Sequence, residues 1–292
     1  MLARSALHPV LFELPWGPAN AYGTLILFGG LACAPGLAWE LRDRGIAPTR
    51  RTALLLDLYL VLVFGAVIGG RILHVLTLPG PLADHVGQLW NPSTGGFVFF
   101  GSLLAIVGGW AWLARRYAVP FATLCDLGAT WIPLGHAFGR LGCFFAGCCW
   151  GAPTDAPWGV HFPAESVVAL SGEVARHDGH TVALVPVQMF EACALAGLFL
   201  LLLALRRRYG TRETPWRATA RYAIGYGIIR CFTEVLRGDA SRGMLFTLPM
   251  PFVSGRLHLP PDQPLLLSVS QLVAIAMVLG GVGVLRMRPR TP

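Results

Sequence analysis

The sequence predicts an all-α polytopic membrane protein, a single domain over residues 1–292 with seven transmembrane helices, N-terminus outside and C-terminus in the cytoplasm. Three observations carry that expectation. The 292 residues are 54% hydrophobic and 13% charged, where soluble domains carry about 25% charged residues, and the mean hydropathy is +0.59. Seven apolar runs come near the ~20 residues that a helix needs to cross a bilayer. Finally, the arginines are distributed unevenly between alternate loops, as the positive-inside rule requires of a multi-pass chain.

The spans fall at roughly 20–40, 53–78, 97–114, 120–147, 186–205, 219–237 and 265–285. The last, "LLLSVSQLVAIAMVLGGVGVL", carries no charge. The fourth and sixth are the least apolar, because they hold Asp126, His136 and Arg140, and Arg230, Glu234 and Arg237. All 23 basic residues are arginine, and 15 of them lie in the loops after spans one, three, five and seven. That places these loops inside and the N-terminus outside. The segment 152–185 then lies outside as a small polar head. A net charge of +8 on a soluble protein would suggest nucleic acid; with the arginines sorted by topology, no nucleic-acid partner is expected and the bilayer is the surface addressed. The seven cysteines, odd in number and irregularly spaced, make a poor disulfide framework. The first residues, "MLARSALHPVLFELPW", hold no apolar run of signal-peptide length, so no cleavage is expected.

The polar residues within the spans are lopsided in depth. At 1.5 Å per residue, Arg71 and His74 lie roughly 27–32 Å along span two, near the outer face. His136 and Arg140 reach a similar height in span four. Tyr22 begins span one there, and Gln188 and Glu191 begin span five. In span six Arg230 sits near mid-depth, with Glu234 and Arg237 progressively outward. His136, Arg140 and Cys143 follow the spacing i, i+4, i+7, and Arg230, Glu234 and Arg237 do the same, so each helix offers one polar stripe. Ionisable groups at such depths face a bundle interior and mark a function. Guanidinium forks match phosphate geometry, so an anionic lipid headgroup is the ligand these charges fit. A buried ion pair with an interfacial anchor, or a carboxylate-transporting bundle, carries similar charges.

These residues sit in motifs that resemble a known family. "GRLGCFFAGCCWGAPTDAPWGVHFP" (139–163) is similar to the signature of the bacterial prolipoprotein diacylglyceryl transferases, G-R-x-G-N-F-x-N-G-E-x-[YW]-G followed by P-T-D-x-P-W-G-x-x-F-P. "HPVLFELPWGPANAYG" (8–23), "GGRILHVL" (69–76), "GGFVFFGSLLA" (95–105), "VPVQMFEA" (185–192), "YGIIRCFTEVLRGD" (226–239) and the last helix resemble further family segments in the same order. The resemblance implies transfer of a diacylglyceryl group from phosphatidylglycerol to the lipobox cysteine thiol of a prolipoprotein, releasing glycerol phosphate. It places the reaction at the periplasmic leaflet of the bacterial inner membrane. By motif position, Arg140 and Arg230 would hold the phosphate and Glu234 would orient Arg230. Tyr22, Arg71, Gln188, Glu191, Arg237 and Gly151 would contact the headgroup or support the site. It calls for no metal and no cofactor.

The departures from the motifs cluster in the same region. The family's histidine in G-G-x-x-x-H-G is Phe100 here, its asparagines align with Cys143 and Ala146, and its glutamate aligns with Cys148. Three readings follow. In the first, the standard reaction persists with His136 or His74 as the base, since an imidazole titrates in the right range. In the second, the chain is a related lipid transferase with a different acceptor or donor, its pocket reshaped by Cys143, Cys148 and Cys149. In the third, it is a non-catalytic phospholipid-binding membrane protein whose thiols form a redox or metal site. Adjacent cysteines are poorly placed to reach one tetrahedral ion.

Overall fold

The computed structural model describes residues 10–14, 17–90, 98–210, 213–239, 243–248, 250–265 and 267–287. Gly95 and Gly96 of the third motif lie outside those residues, as do Arg4, Arg212, Arg242, Arg288 and Arg290 of the topology count.

Long helices occupy each predicted span. The first, α1 (Ala21–Asp43), carries no charge before Glu40 and closes with Arg42, a cation at the negative end of the helix dipole. The second begins with Pro48 in its first turn, where the missing N–H costs nothing. It runs as α2 (Pro48–Phe64) through a π-turn at Gly65–Gly69 into α3 (Gly70–Thr77). A short α4 (Leu82–His85) precedes α5 (Phe99–Arg116), and α6 (Phe121–Ala146) follows with Pro133 inside it. Beyond the short α7 (Val167–Ser171), α8 (Val187–Tyr209) starts after Pro186 and ends on Arg206, Arg207 and Arg208. Then come α9 (Arg217–Leu236), the short α10 (Pro251–Arg256) and α11 (Val269–Arg286). The last opens on a capping box, in which Ser268 and Gln271 bond each other's backbone N–H groups. Among the described residues four of these, Ala21–Asp43, Pro48–Thr77, Val187–Tyr209 and Val269–Arg286, are long and apolar enough to cross a membrane.

The chain divides into two compact units, Gly36–Leu127 and the pair Met1–Pro35 with Gly128–Pro292. In Gly36–Leu127, α5 packs on α2, on the π-turn and on α3. Ser102 donates to the Ala66 carbonyl at 2.7 Å, an acceptor in the π-turn. The core here is leucine: Leu41, Leu54, Leu58, Leu113, Leu124 and Leu127, with Ala114 and Tyr117. Beside it the Tyr117 hydroxyl donates to Asp57 at 2.8 Å, and the half-exposed Arg116 stands 3.8 Å from the same carboxylate.

In the other unit α9 lies along both α11 and α8. The Cys33 thiol of α1 donates to the Trp131 carbonyl at 3.4 Å, so this cysteine is a packing group. The all-α expectation is amended by two small antiparallel pairs, β1 (Val10–Leu14) with β2 (Gly17–Asn20), and β3 (Arg176–His177) with β4 (His180–Thr181). The second closes on Asp178 and Gly179, both at positive φ, the two-residue turn that Asp-Gly favours. Nor is the head segment simply polar. Phe162, Val168 and Leu184 are buried with Trp150 in one apolar cluster, and Ala152, Val185 and Val187 join Leu259 and Leu265 in another. Residues 150–152 thread between two backbones. Ala152 N–H donates to Leu236 O at 2.9 Å, Gly238 N–H to Trp150 O at 3.1 Å and Val185 N–H to Ala152 O at 3.0 Å. A Cβ on Gly151 would lie 2.3 Å from the Val185 carbonyl oxygen, so only glycine fits.

Candidate functional site

Three helices bring most of the candidate residues together, all in the unit that holds Gly128–Pro292. On α6 the 3.6-residue period puts His136, Arg140 and Cys143 on one face. The first turn of α8 supplies Gln188 and Glu191. The stripe of α9 supplies Tyr222, Tyr226, Arg230 and Glu234 at intervals of four, with Arg237 at its end.

Arg140 and Glu191 form the central pair. Arg140 Nε lies 3.1 Å from Glu191 Oε1, with side-chain exposures of 14% and 3%. His136 Nε2 is 4.0 Å from the same oxygen. Arg230 Nη2 is 2.6 Å from Glu234 Oε2 and donates to Ser270 Oγ at 3.1 Å. The other terminal nitrogen of Arg230, Nη1, is buried with no hydrogen-bond partner among the described residues. Both guanidiniums lie in electrostatic reach of His136 and of Tyr226. The His136 and Tyr226 rings are 5.5 Å apart, and Tyr226 stacks on Tyr222 at 5.7 Å. A cationic face backed by carboxylates, with a buried N–H donor left over, is built to receive an anion.

Arg237 is occupied differently. Its Nε donates to Asp239 Oδ1 at 2.8 Å and Nη2 to the other oxygen, a two-point fork. Its carbonyl accepts from Gln263 at 2.7 Å. Gln188 is fully buried, and its amide donates to the Cys148 carbonyl at 2.9 Å. Gly151 is a threading position, as described above. Tyr22, 44% exposed, lies over Gly142 of α6 and in electrostatic reach of Arg140 and the three thiols of 143–149. Arg71 and His74 belong to the other unit. There Arg71 donates to the Gln88 carbonyl, and His74 is half-buried on α3. Phe100, at the motif's histidine position, is exposed at the start of α5 in that unit.

The turn after α6 gathers three thiols. Gly147, at φ +73°, ends the helix. Its N–H bonds to Phe144 O at 3.3 Å, and Cys148 N–H bonds to Cys143 O at 3.1 Å. That pair of bonds is a Schellman closure, which folds the chain back over the last turn. Cys149 then takes a left-handed φ of +52°, uncommon without glycine. As a result the sulfurs of Cys143, Cys148 and Cys149 all lie within 4.8 Å of one another. Hydrogen bonds from Cys143 and Cys148 pull the Cys149 thiol well below its ordinary pKa against the penalty of burial, helped by Arg140 and Arg237. Cys148, donor to its two neighbours, is held well above.

Sequence reasoning missed Tyr222, Tyr226 and Ser270. The tyrosines were legible as the N-terminal continuation of the Arg230–Glu234 stripe, at the same four-residue spacing. Ser270 reaches Arg230 from another helix, and no local pattern announces that.

Comparison with known proteins bears on the same residues. The family model described as prolipoprotein diacylglyceryl transferase matches residues 9–287. Three relatives, each named phosphatidylglycerol–prolipoprotein diacylglyceryl transferase, are similar over most of their length. The one from Pseudomonas fluorescens is 30% identical over 295 residues, 98% of this chain and 94% of its own. That from Methylocella silvestris is 30% identical over 267 residues, 86% and 92%. That from Rhizobium leguminosarum bv. trifolii is 35% identical over 252 residues, 82% of each.

Proposed function

We propose, for a chain that belongs to the prolipoprotein diacylglyceryl transferase family, that it moves a diacylglyceryl group from phosphatidylglycerol to the lipobox cysteine of a prolipoprotein and releases glycerol phosphate. The single domain 1–292 crosses the bacterial inner membrane seven times, N-terminus out, with its reacting end in the periplasmic leaflet. The observation that carries this reading is that two largely buried guanidiniums, Arg140 and Arg230, lie in electrostatic reach of the same His136 and Tyr226, and that Arg230 Nη1 has no hydrogen-bond partner among the described residues.

The chemistry is a displacement at the glycerol carbon that bears the phosphate. A sulfur attacks as the carbon–oxygen bond breaks, and negative charge grows on the departing phosphate oxygen. Donors fixed where that charge develops supply the largest share of such catalysis, because they need no reorganisation in a water-poor site. Arg140, held by Glu191, and Arg230, held by Glu234 and Ser270, are those donors. His136 lies beside them as a proton acceptor. Gln188, Arg237 and Gly151 hold the turn after α6 and the end of α9, and Tyr22 covers it from α1.

The test is incubation of the purified chain, in phosphatidylglycerol vesicles, with a lipobox peptide. Mass spectrometry should find the peptide heavier by one diacylglyceryl group and free glycerol phosphate in equal amount. An unmodified peptide, in vesicles where a homologous transferase modifies it, would overturn the reading.

A further inference from the structure

We propose that Cys143, Cys148 and Cys149 form a zinc site with an open fourth position, and that the acceptor cysteine binds there as a thiolate before it attacks the lipid. This rests on the transferase reading above and extends it to how the acceptor thiol is activated.

The three sulfurs already lie within 4.8 Å of one another. Around a tetrahedral zinc with Zn–S bonds near 2.3 Å, ligand sulfurs sit about 3.8 Å apart, so rotamer adjustment closes the set. Adjacent cysteines usually diverge. Here the Schellman closure at Gly147 returns Cys148 to Cys143, and the left-handed Cys149 reverses the next side chain toward the same point. A non-glycine residue is held at that φ only where its surroundings impose it. Trp150 is buried immediately afterwards, and the Gln188 amide clamps the Cys148 carbonyl.

Among the described residues no histidine, aspartate, glutamate or further cysteine completes the group. Structural zinc sites use four protein ligands, whereas catalytic ones use three and leave the fourth to water or substrate. Sulfur ligands select thiophilic ions such as zinc over magnesium or calcium. Arg140 and Arg237 lie in electrostatic reach of Cys149 and offset the negative charge that three thiolates bring.

The step balances without any redox change. Three S–H bonds lose protons to solvent as three Zn–S bonds form. The acceptor thiol displaces water from the fourth position and releases its own proton, since a zinc-bound thiol is deprotonated outright. Its sulfur lone pair then forms the C–S bond while the C–O electron pair leaves with glycerol phosphate, which stays paired with Arg140 and Arg230. The thioether product is a weaker ligand than thiolate, and water takes its place.

The experiment uses the full chain, reduced, in detergent and phosphatidylglycerol. Cobalt(II) titration reads the site without reference to activity. One equivalent should give the near-ultraviolet thiolate-to-cobalt charge-transfer band, absent in Cys149→Ser and retained in Cys193→Ser, an exposed cysteine on α8. Zinc added in competition should bleach it. Stripping with a chelator should lower peptide modification on the order of 100-fold, the scale of a lost general base, and zinc should restore it. Full activity in the stripped protein, or no thiolate band in a wild-type protein that elutes as one folded species, overturns the zinc proposal and leaves the transferase reading standing. A thiolate–cobalt band in a protein that modifies no lipobox peptide, with zinc or without, overturns the proposed acceptor instead.

Discussion

Two arginine–carboxylate groups show what burial does to the same pair of charges. In the Gly36–Leu127 unit, Arg116 stands 3.8 Å from Asp57, with side-chain exposures of 56% and 27%. In the other, Arg140–Glu191 and Arg230–Glu234 close to 3.1 and 2.6 Å at exposures of 14% or less. Water screens the first group, so it contributes ~1 kcal/mol or less. The second is desolvated, and removing one partner strands a buried charge. Arg116 ends α5, a cation at the negative end of the helix dipole. Desolvation offsets most of what each buried pair gains, so neither is by itself a source of stability.

Four variants sharpen or break that contrast. Arg140→Ala should lower peptide modification by about a thousandfold, or ~4 kcal/mol of barrier. Measured by mass spectrometry in vesicles, a loss under tenfold would make the buried group structural. Glu191→Gln keeps the shape and removes the carboxylate's charge. It should cost roughly 100-fold in turnover, with the helical circular-dichroism spectrum unchanged. Gly151→Ala acts on the scaffold rather than the charge, because its Cβ would meet the Val185 carbonyl oxygen at 2.3 Å. A loss of ~3 kcal/mol is expected from such overpacking, read as a lower denaturation midpoint. Arg116→Ala should shift stability by ~1 kcal/mol or less and leave turnover within about twofold, the smallest effect of the set.

Much of this was legible in the sequence because helices announce themselves locally. Among the described residues a helix occupies each apolar run, four of them long and apolar enough to cross a membrane, and the spacing of His136, Arg140 and Cys143 alone places them on one face. Pairing was less legible. Glu191 reads as a headgroup contact from its place at the start of span five, yet it is the partner of Arg140, 51 positions away in sequence. Arg237 reads as part of the polar stripe, but its fork is taken by Asp239. The Asp-Gly hairpin of the head was readable from "HDGH" and was passed over within a segment read as polar. The convergence of adjacent thiols needed two backbone conformations, at Gly147 and Cys149, that no side-chain pattern encodes.

The threading at Gly151 has a consequence for biosynthesis. The turn carrying Cys148 and Cys149 is pinned by partners that emerge from the ribosome later, at Val185, Gln188, Leu236 and Gly238. Its conformation therefore waits on insertion of α8 and α9, as contacts distant in sequence are the last that chain growth permits. A nascent chain halted after α6 would carry the arginine and the cysteines without the geometry that joins them.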